Sequence, residues 1–293
     1  MFSSIDEVQR ALEKEKYICD RPLGTVLYLA LKLEKPILLE GEAGRKTEVA
    51  KVMTRALGRK LIRLQCYEGL DVTTALYEWN YPKQLLRIKM GEAGKQPLER
   101  MENIFSEEYL IARPLLEAIR GEVADQGIVL LIDEIDRSDE EFEAFLLEIL
   151  SDFQITIPEI GTIAAKHRPL VIITSNRTRE IHDALKRRCL YHWIDYPSFE
   201  KELRIVTLKV PGMKERLAEQ ICQFMQDVRS RDFYKKPGIA ETLDWASALI
   251  HLHKDHLDQG AVEETLGCIL KHFEDLKKMR EVDLQSCLGA VSD

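Results

Sequence analysis

The sequence predicts an α/β fold, a parallel sheet sandwiched between helices, followed by a smaller all-helical domain. Three observations predict it. In Pro36 to Lys51, PILLEGEAGRKTEVAK, a short apolar run passes through a glycine-rich loop into a helix. Two later runs, GIVLLIDEID (127–136) and PLVIIT (169–174), are continuously apolar, as strands covered on both faces must be. Beyond Pro197 the pattern is helical, with no convincing strand.

The first stretch organises the chain. Ile37, Leu38 and Leu39 form the strand, Gly41-Glu42-Ala43-Gly44-Arg45 the loop, and Lys46-Thr47-Glu48 the start of a helix. Val49, Val52, Met53 and Ala56 recur at helical spacing until Gly58 stops it. Such a loop and helix start can wrap a phosphate in backbone N–H groups, with Lys46 neutralising phosphate charge and the Thr47 hydroxyl holding Mg²⁺. The usual motif has four residues between its first Gly and a Gly-Lys pair. Here the loop is one residue short, and Arg45 stands where a Gly should precede the Lys. That Gly lets the backbone approach phosphate in dihedrals a side chain resists, so impaired binding stays open, as does a plain strand–turn–helix with a solvated Lys.

The other apolar runs end in chemistry. In a parallel sheet ligands bind beyond the carboxyl ends of the strands, where Asp133 and Glu134 fall. The first acid can hold Mg²⁺ and the second can orient and deprotonate an attacking water; the alternative is an acidic strand end capping the next helix. Asn176, after PLVIITS, can bond a γ-phosphate or the water, or can be a helix N-cap. Arg177, Arg179, Lys186, Arg187 and Arg188 follow. One of them can serve as an arginine finger, or the run can complement a helix dipole.

The rest of the chain supplies the frame. Residues 4–16 read as an amphipathic helix on Ile5, Val8 and Leu12, and Pro22 starts a second that ends before Pro36. Residues 60–66 alternate as a strand and, with the first strand and helix, suggest a βαβ unit. Gly69 marks a turn and Asp71 an N-cap. From Asp71 to about Ile111 the pattern is irregular and reads as an insertion. Its aromatic residues beside Lys83, Arg87 and Lys89 are either a contact surface or packing under a loop. Residues 114–123 are helical, as is a stretch carrying Phe142, Phe145, Leu146, Ile149 and Leu150. A hairpin spans about 153–165, and Tyr191 to Asp195 closes the sheet. Helices follow near 199–209, 214–230, 239–253 and 260–278. His251, His253 and His256 read as surface residues, since only the last pair shares a helix face.

Composition narrows the function. The 293 residues are 45% hydrophobic and 31% charged, which suits a globular protein with a sizeable core. No apolar run nears the roughly 18 residues of a membrane span, and MFSSIDEVQRALEKEK is charged where a signal peptide is apolar, so a cytoplasmic location without membrane contact is expected. The six cysteines contain no CxxC pair and read as reduced, mostly packed thiols. A net charge of −8 argues against a non-specific nucleic-acid coat and makes a nucleic-acid partner the less expected one, while leaving a local basic patch open.

In order, LLEGEAGRKTEVAK, VLLIDEID, IITSN and DALKRRCLYHWIDYP resemble the AAA+ ATPases of the MoxR-like group over nearly the whole chain. LIRLQCYEGLDVTTALYEWNYPKQLLRIK looks most like the MoxR-type ATPases encoded beside carbon monoxide dehydrogenase and related molybdenum hydroxylases. The resemblance implies an AAA+ P-loop αβα domain over 1–196, a helix-2 insert within about 71–111, and a helical lid over 197–293. It implies Walker A at Lys46 and Thr47, Walker B at Asp133 and Glu134, and sensor 1 at Asn176. Arg187 or Arg188 would be a finger reaching a neighbour's nucleotide in a ring, commonly a hexamer. The implied activity is ATP hydrolysis with Mg²⁺, used to remodel a partner metalloenzyme such as a molybdenum hydroxylase, often with a von Willebrand A-domain protein. Ala240 and Glu241 stand where many relatives carry a sensor-2 arginine, so no residue takes that role. The shortened loop keeps a second reading, a non-hydrolysing nucleotide-binding scaffold.

Overall fold

The computed structural model describes residues 2–41, 45–93, 104–121 and 127–281. The chain divides into two compact units, one of Met1–Val8, Arg21–Glu40 and Lys46–Trp193, the other of Gln9–Asp20, Gly41–Arg45 and Ile194–Asp293.

Helix α1 (Ile5–Lys14) buries Val8 and Leu12, and α2 (Arg21–Leu33) carries Pro22 in its first turn, where a missing N–H is harmless. The first unit then runs β1 (Ile37–Glu40), α3 (Lys46–Leu57), β2 (Lys60–Gln65), α4 (Val72–Ala75), β3 (Tyr77–Trp79), α5 (Tyr81–Ala93), β4 (Leu110–Ala112), α6 (Pro114–Arg120) and β5 (Ile128–Asp133). It continues through α7 (Glu140–Asp152), β6 (Gln154–Ile157), β7 (Gly161–Ala164), β8 (Leu170–Ser175), α8 (Asp183–Arg188) and β9 (Leu190–Trp193).

Five strands form one parallel sheet in the order β2-β5-β8-β1-β9. The wholly buried runs β1, β5 and β8 take the interior, as continuous apolarity requires. Alternating β2 lies at an edge, so the expected βαβ unit is not a neighbouring pair: β5 and β8 separate β1 from β2. On one face Leu38, Ile62, Leu64, Leu130, Ile132 and Ile173 pack with α6 and α7; α3 lies against β5, β2 and β8 on the other. The fold class is therefore the expected one, a parallel sheet between helices with an all-helical region after it.

The stretch read as irregular is ordered where described. Asp71 caps α4 by accepting from Thr74 N at 2.6 Å, and β3 pairs antiparallel with β4. Strands of three residues are too short to show alternation. Trp79 is buried edge-on against Tyr77 and Phe105, so packing accounts for that aromatic, whereas Tyr81, Leu85, Leu86 and Met90 of α5 are exposed. Gly91, Glu92 and Ala93 end α5, and residues 94–103 lie outside the described residues. Helix α6 stops at Arg120 because Gly121 turns left-handed at φ 65°. Phe153 caps α7 in the same way, at φ 51°, and so precedes the hairpin strand.

The second unit holds α9 (Phe199–Lys209), α10 (Glu215–Ser230), α11 (Ile239–His251), α12 (Gln259–Ile269) and α13 (Phe273–Glu281). Its core gathers Ile221, Phe224, Met225, Trp245, Leu249 and Leu266, with Trp245 Nε1 donating to Thr265 Oγ1 at 2.7 Å. The helix expected over 260–278 is two, because Leu270 turns extended to enter this core. His251, His253 and His256 are exposed. Glu241 accepts from Gly238 N at 2.9 Å and so caps α11. Among the described residues no helix is long and apolar enough to cross a membrane. Their five cysteines are free, and burial pushes the Cys66, Cys189 and Cys222 thiols up to about 12; Cys287 lies outside the described residues.

A buried ion pair ties three of these helices. Arg229 on α10 donates to both oxygens of Glu202 on α9, at 2.5 and 2.7 Å, and Thr242 on α11 donates to the same carboxylate at 2.7 Å. Breaking such a pair from one side strands the other charge. Glu202→Leu should cost about 3–5 kcal/mol in urea unfolding, and Glu202→Leu with Arg229→Met should cost less than the single change. A double variant no more stable than the single one would mean that the ion pair is not the tie.

Candidate functional site

At the carboxyl edge of the sheet, β5 and β8 deliver Asp133, Glu134, Thr174 and Asn176, and α3 begins with Lys46 and Thr47. Asp133 is 2% exposed. Its Oδ1 accepts from Thr47 Oγ1 at 2.9 Å and from Thr174 Oγ1 at 2.5 Å. Its Oδ2 accepts from Arg63 Nε at 3.0 Å and from the same guanidinium's Nη2 at 2.6 Å. A carboxylate with both oxygens doubly engaged is fixed in place.

Glu134 sits at φ 56°, in the left-handed region that disfavours a side chain. Its N–H donates to Thr174 Oγ1 at 3.0 Å, so one hydroxyl fixes both acids. Its carboxylate accepts from Gln65 Nε2 at 3.1 Å and from Asn176 Nδ2 at 3.3 Å, and pairs with Arg137 at 3.1 Å. Asn176 is thus a partner of Glu134; the cap of α8 is His182. Lys46 is 5% exposed. Burial lowers its amine below the usual lysine range, opposed by Asp136, Asp133, Glu134 and Glu40. The solvated-Lys alternative therefore fails.

The loop is described only at its ends, and Glu42, Ala43 and Gly44 lie outside the described residues. At Gly41, φ is 141° and a Cβ would stand 2.1 Å from Ile194 O, so only glycine fits. Arg45 has φ 101°, the dihedral that the missing Gly would take easily. Glu48 lies in the first turn of α3, 3.6 Å from Arg55. The basic residues scatter. The Arg177 guanidinium lies 5.5 Å from the centre of the Trp193 ring, and Arg179 pairs with buried Glu143. Arg188 donates to Ser151 Oγ at 2.8 Å, while Arg187 is exposed in the last turn of α8. Arg188 thus bonds away from the acids, to Ser151 and to the Ala184 carbonyl.

Sequence reasoning missed Arg63, Gln65 and Thr178. The first two share a face of β2 by strand alternation, and Gln65 lies in register with Asp133. Thr178 emerges only from tertiary contact: its N and Oγ1 donate to Asp136 Oδ2 at 2.9 and 2.7 Å, and Asn176 N donates to Oδ1 at 3.1 Å.

Burial raises the Asp136 carboxyl, but the Thr178 hydroxyl and the two amides outweigh it and hold the group below its usual range. A depressed carboxyl stabilises the fold above its unfolded value, about 3.9, and that stability is lost as pH falls through the folded value. Thr178→Val removes one donor, so the acid-unfolding midpoint followed by circular dichroism should move to higher pH. An unmoved midpoint would show that the hydroxyl does not hold Asp136.

No curated protein matches the chain. Among solved structures, a presumed ATPase of Cytophaga hutchinsonii aligns at 13% identity, covering 98% of this chain and 93% of its own, with a TM-score of 0.47. The RuvB Holliday junction branch migration motor of Thermotoga maritima aligns at 16% identity, covering 88% and 68%, with a TM-score of 0.45. The AAA domain of the dynein-related subfamily matches residues 36–189, a span that runs from the strand before the loop to the end of α8. The chain belongs to that family.

Proposed function

We propose that this chain is a MoxR-type ATPase that hydrolyses ATP to remodel a partner protein. The observation that carries the reading is the convergence of Lys46, Thr47, Asp133, Glu134 and Asn176 at one end of one sheet. Lys46 would bind the β- and γ-phosphate oxygens through charge-assisted hydrogen bonds. The Thr47 hydroxyl and the Asp133 carboxylate, hard oxygen donors in mutual contact, fit Mg²⁺ and would hold it. Bound there, the ion would neutralise charge on the phosphate oxygens. Glu134 would take the proton of the water whose oxygen bonds to the γ-phosphorus as the bond to ADP breaks; Asn176 and Gln65 would hold that carboxylate in place.

The wider assignments come from the resemblance. They are a nucleotide-binding domain over 1–196 and a helical lid over 197–293, a cytoplasmic ring, and Arg187 or Arg188 acting on a neighbour's nucleotide. The partner would be a metalloenzyme such as a molybdenum hydroxylase, with a von Willebrand A-domain protein as companion. A second reading, a nucleotide-binding scaffold that does not hydrolyse, is favoured by Arg45 alone, whose backbone holds a glycine-like dihedral in a shortened loop.

Phosphate release by the purified chain separates the two. The parent should turn over, Glu134→Gln should lose about 10²–10⁴-fold, and Lys46→Ala should lose ATP binding. Turnover indifferent to Glu134 sinks the ATPase. Arg45→Gly should leave the ATP dissociation constant unchanged if the short loop already works, and should tighten it under the scaffold reading.

Mixing tests the finger. Arg187→Ala or Arg188→Ala should keep ATP affinity and lose about 10³–10⁵-fold in turnover, the usual worth of such a residue. Addition of Glu134→Gln protein should restore part of it, because a mixed interface pairs an intact pocket with an intact arginine. If exchanging subunits never exceed the sum of their parts, the finger assignment is wrong.

A further inference from the structure

Arg63 has no place in the sequence motifs, yet it forms an ion pair with Asp133. Its guanidinium approaches Asp133 Oδ2 through two nitrogens, at 3.0 and 2.6 Å, and its Nη2 also donates to Gln65 Oε1. Asp133 is buried, whereas the Arg63 side chain is 49% exposed and stands on edge strand β2. A half-exposed arginine on an edge can leave at little packing cost. A buried carboxylate that loses an ion-pair partner is left undercompensated unless another cation takes its place. The other oxygen, Oδ1, is the one shared with Thr47.

We propose that Arg63 is a built-in counter-cation that competes with divalent metal for Asp133. The inference rests on the reading of Thr47 and Asp133 as the Mg²⁺-holding pair. With Arg63 on Oδ2, the carboxylate presents less net charge to a cation at Oδ1, because opposite charges at contact distance largely cancel in the field they send outward. Asp133 is therefore charge-paired without metal. Nucleotide binding tolerates metal removal, and metal affinity is lower than the oxygen donors alone would give. Arg63 touches neither phosphate nor water in this account; it is a positioning residue acting through Asp133.

Mn²⁺ is the probe, with free ion counted by electron paramagnetic resonance in the presence and absence of a non-hydrolysable ATP analogue. Arg63→Gln removes the charge and should tighten Mn²⁺ by about tenfold or more, while Arg63→Lys, which keeps a point charge, should stay closer to the parent. Arg63→Gln should also weaken analogue binding in EDTA. A purely structural role would lower the melting temperature of Arg63→Gln and leave its Mn²⁺ affinity alone. Equal or weaker Mn²⁺ binding by Arg63→Gln overturns the proposal. If that variant does not fold, the parent decides: analogue affinity should change less than about tenfold between Mn²⁺ and EDTA, and complete dependence on metal overturns the proposal. Failure of the broader reading is separately visible, because the parent would then bind no analogue in either medium, and the Mn²⁺ titration without nucleotide would still judge Arg63.

Discussion

The Asp133 carboxylate is the constraint on which the first unit depends. It is buried at the end of the interior strand β5, and the donors that satisfy it come from three other elements: Thr47 from α3, Thr174 from β8 and Arg63 from β2. A buried charge with so many donors tolerates no slip of register, because each donor would be stranded with it. The same contacts set the start of α3, where the buried amine of Lys46 stands, and place Thr174 so that its oxygen also receives the Glu134 N–H.

Around that point strain and charge are concentrated. Glu134 and Arg45 both hold positive φ, and Lys46 is buried among carboxylates. Residues held in sparsely populated dihedrals persist where their surroundings determine them, and they gather at working sites. Here the surroundings of Glu134 are Thr174 on its amide and Gln65, Asn176 and Arg137 on its carboxylate. Glu134 is thus held from backbone and side chain together.

The helical unit solves a different problem with the same chemistry. Its core is apolar, built on Phe224, Trp245 and Leu266, and a buried polar network joins Glu202, Arg229 and Thr242. That network spans α9, α10 and α11, so it fixes how those helices pack and presents nothing to a ligand.

The apolar runs of β1, β5 and β8 were legible from sequence because burial on both faces leaves no room for polar residues. The Lys-Thr helix start and the acids at the end of β5 were legible because their spacing along the chain is short. Pairing was not. That β5 and β8 separate β1 from β2 follows from competition among strands for the interior, which no local pattern records. Nor did the pattern reveal β3 and β4, each three residues long and far apart in the chain, or the break at Leu270, which the core imposes. Arg63 and Gln65 read as the polar side of an alternating strand; only the alignment of β2 beside β5 turns them toward Asp133 and Glu134. Residue types and local periodicity come from the sequence alone, whereas partners across the sheet are decided by tertiary structure, because a hydrogen bond or ion pair depends on distances that only the folded chain sets.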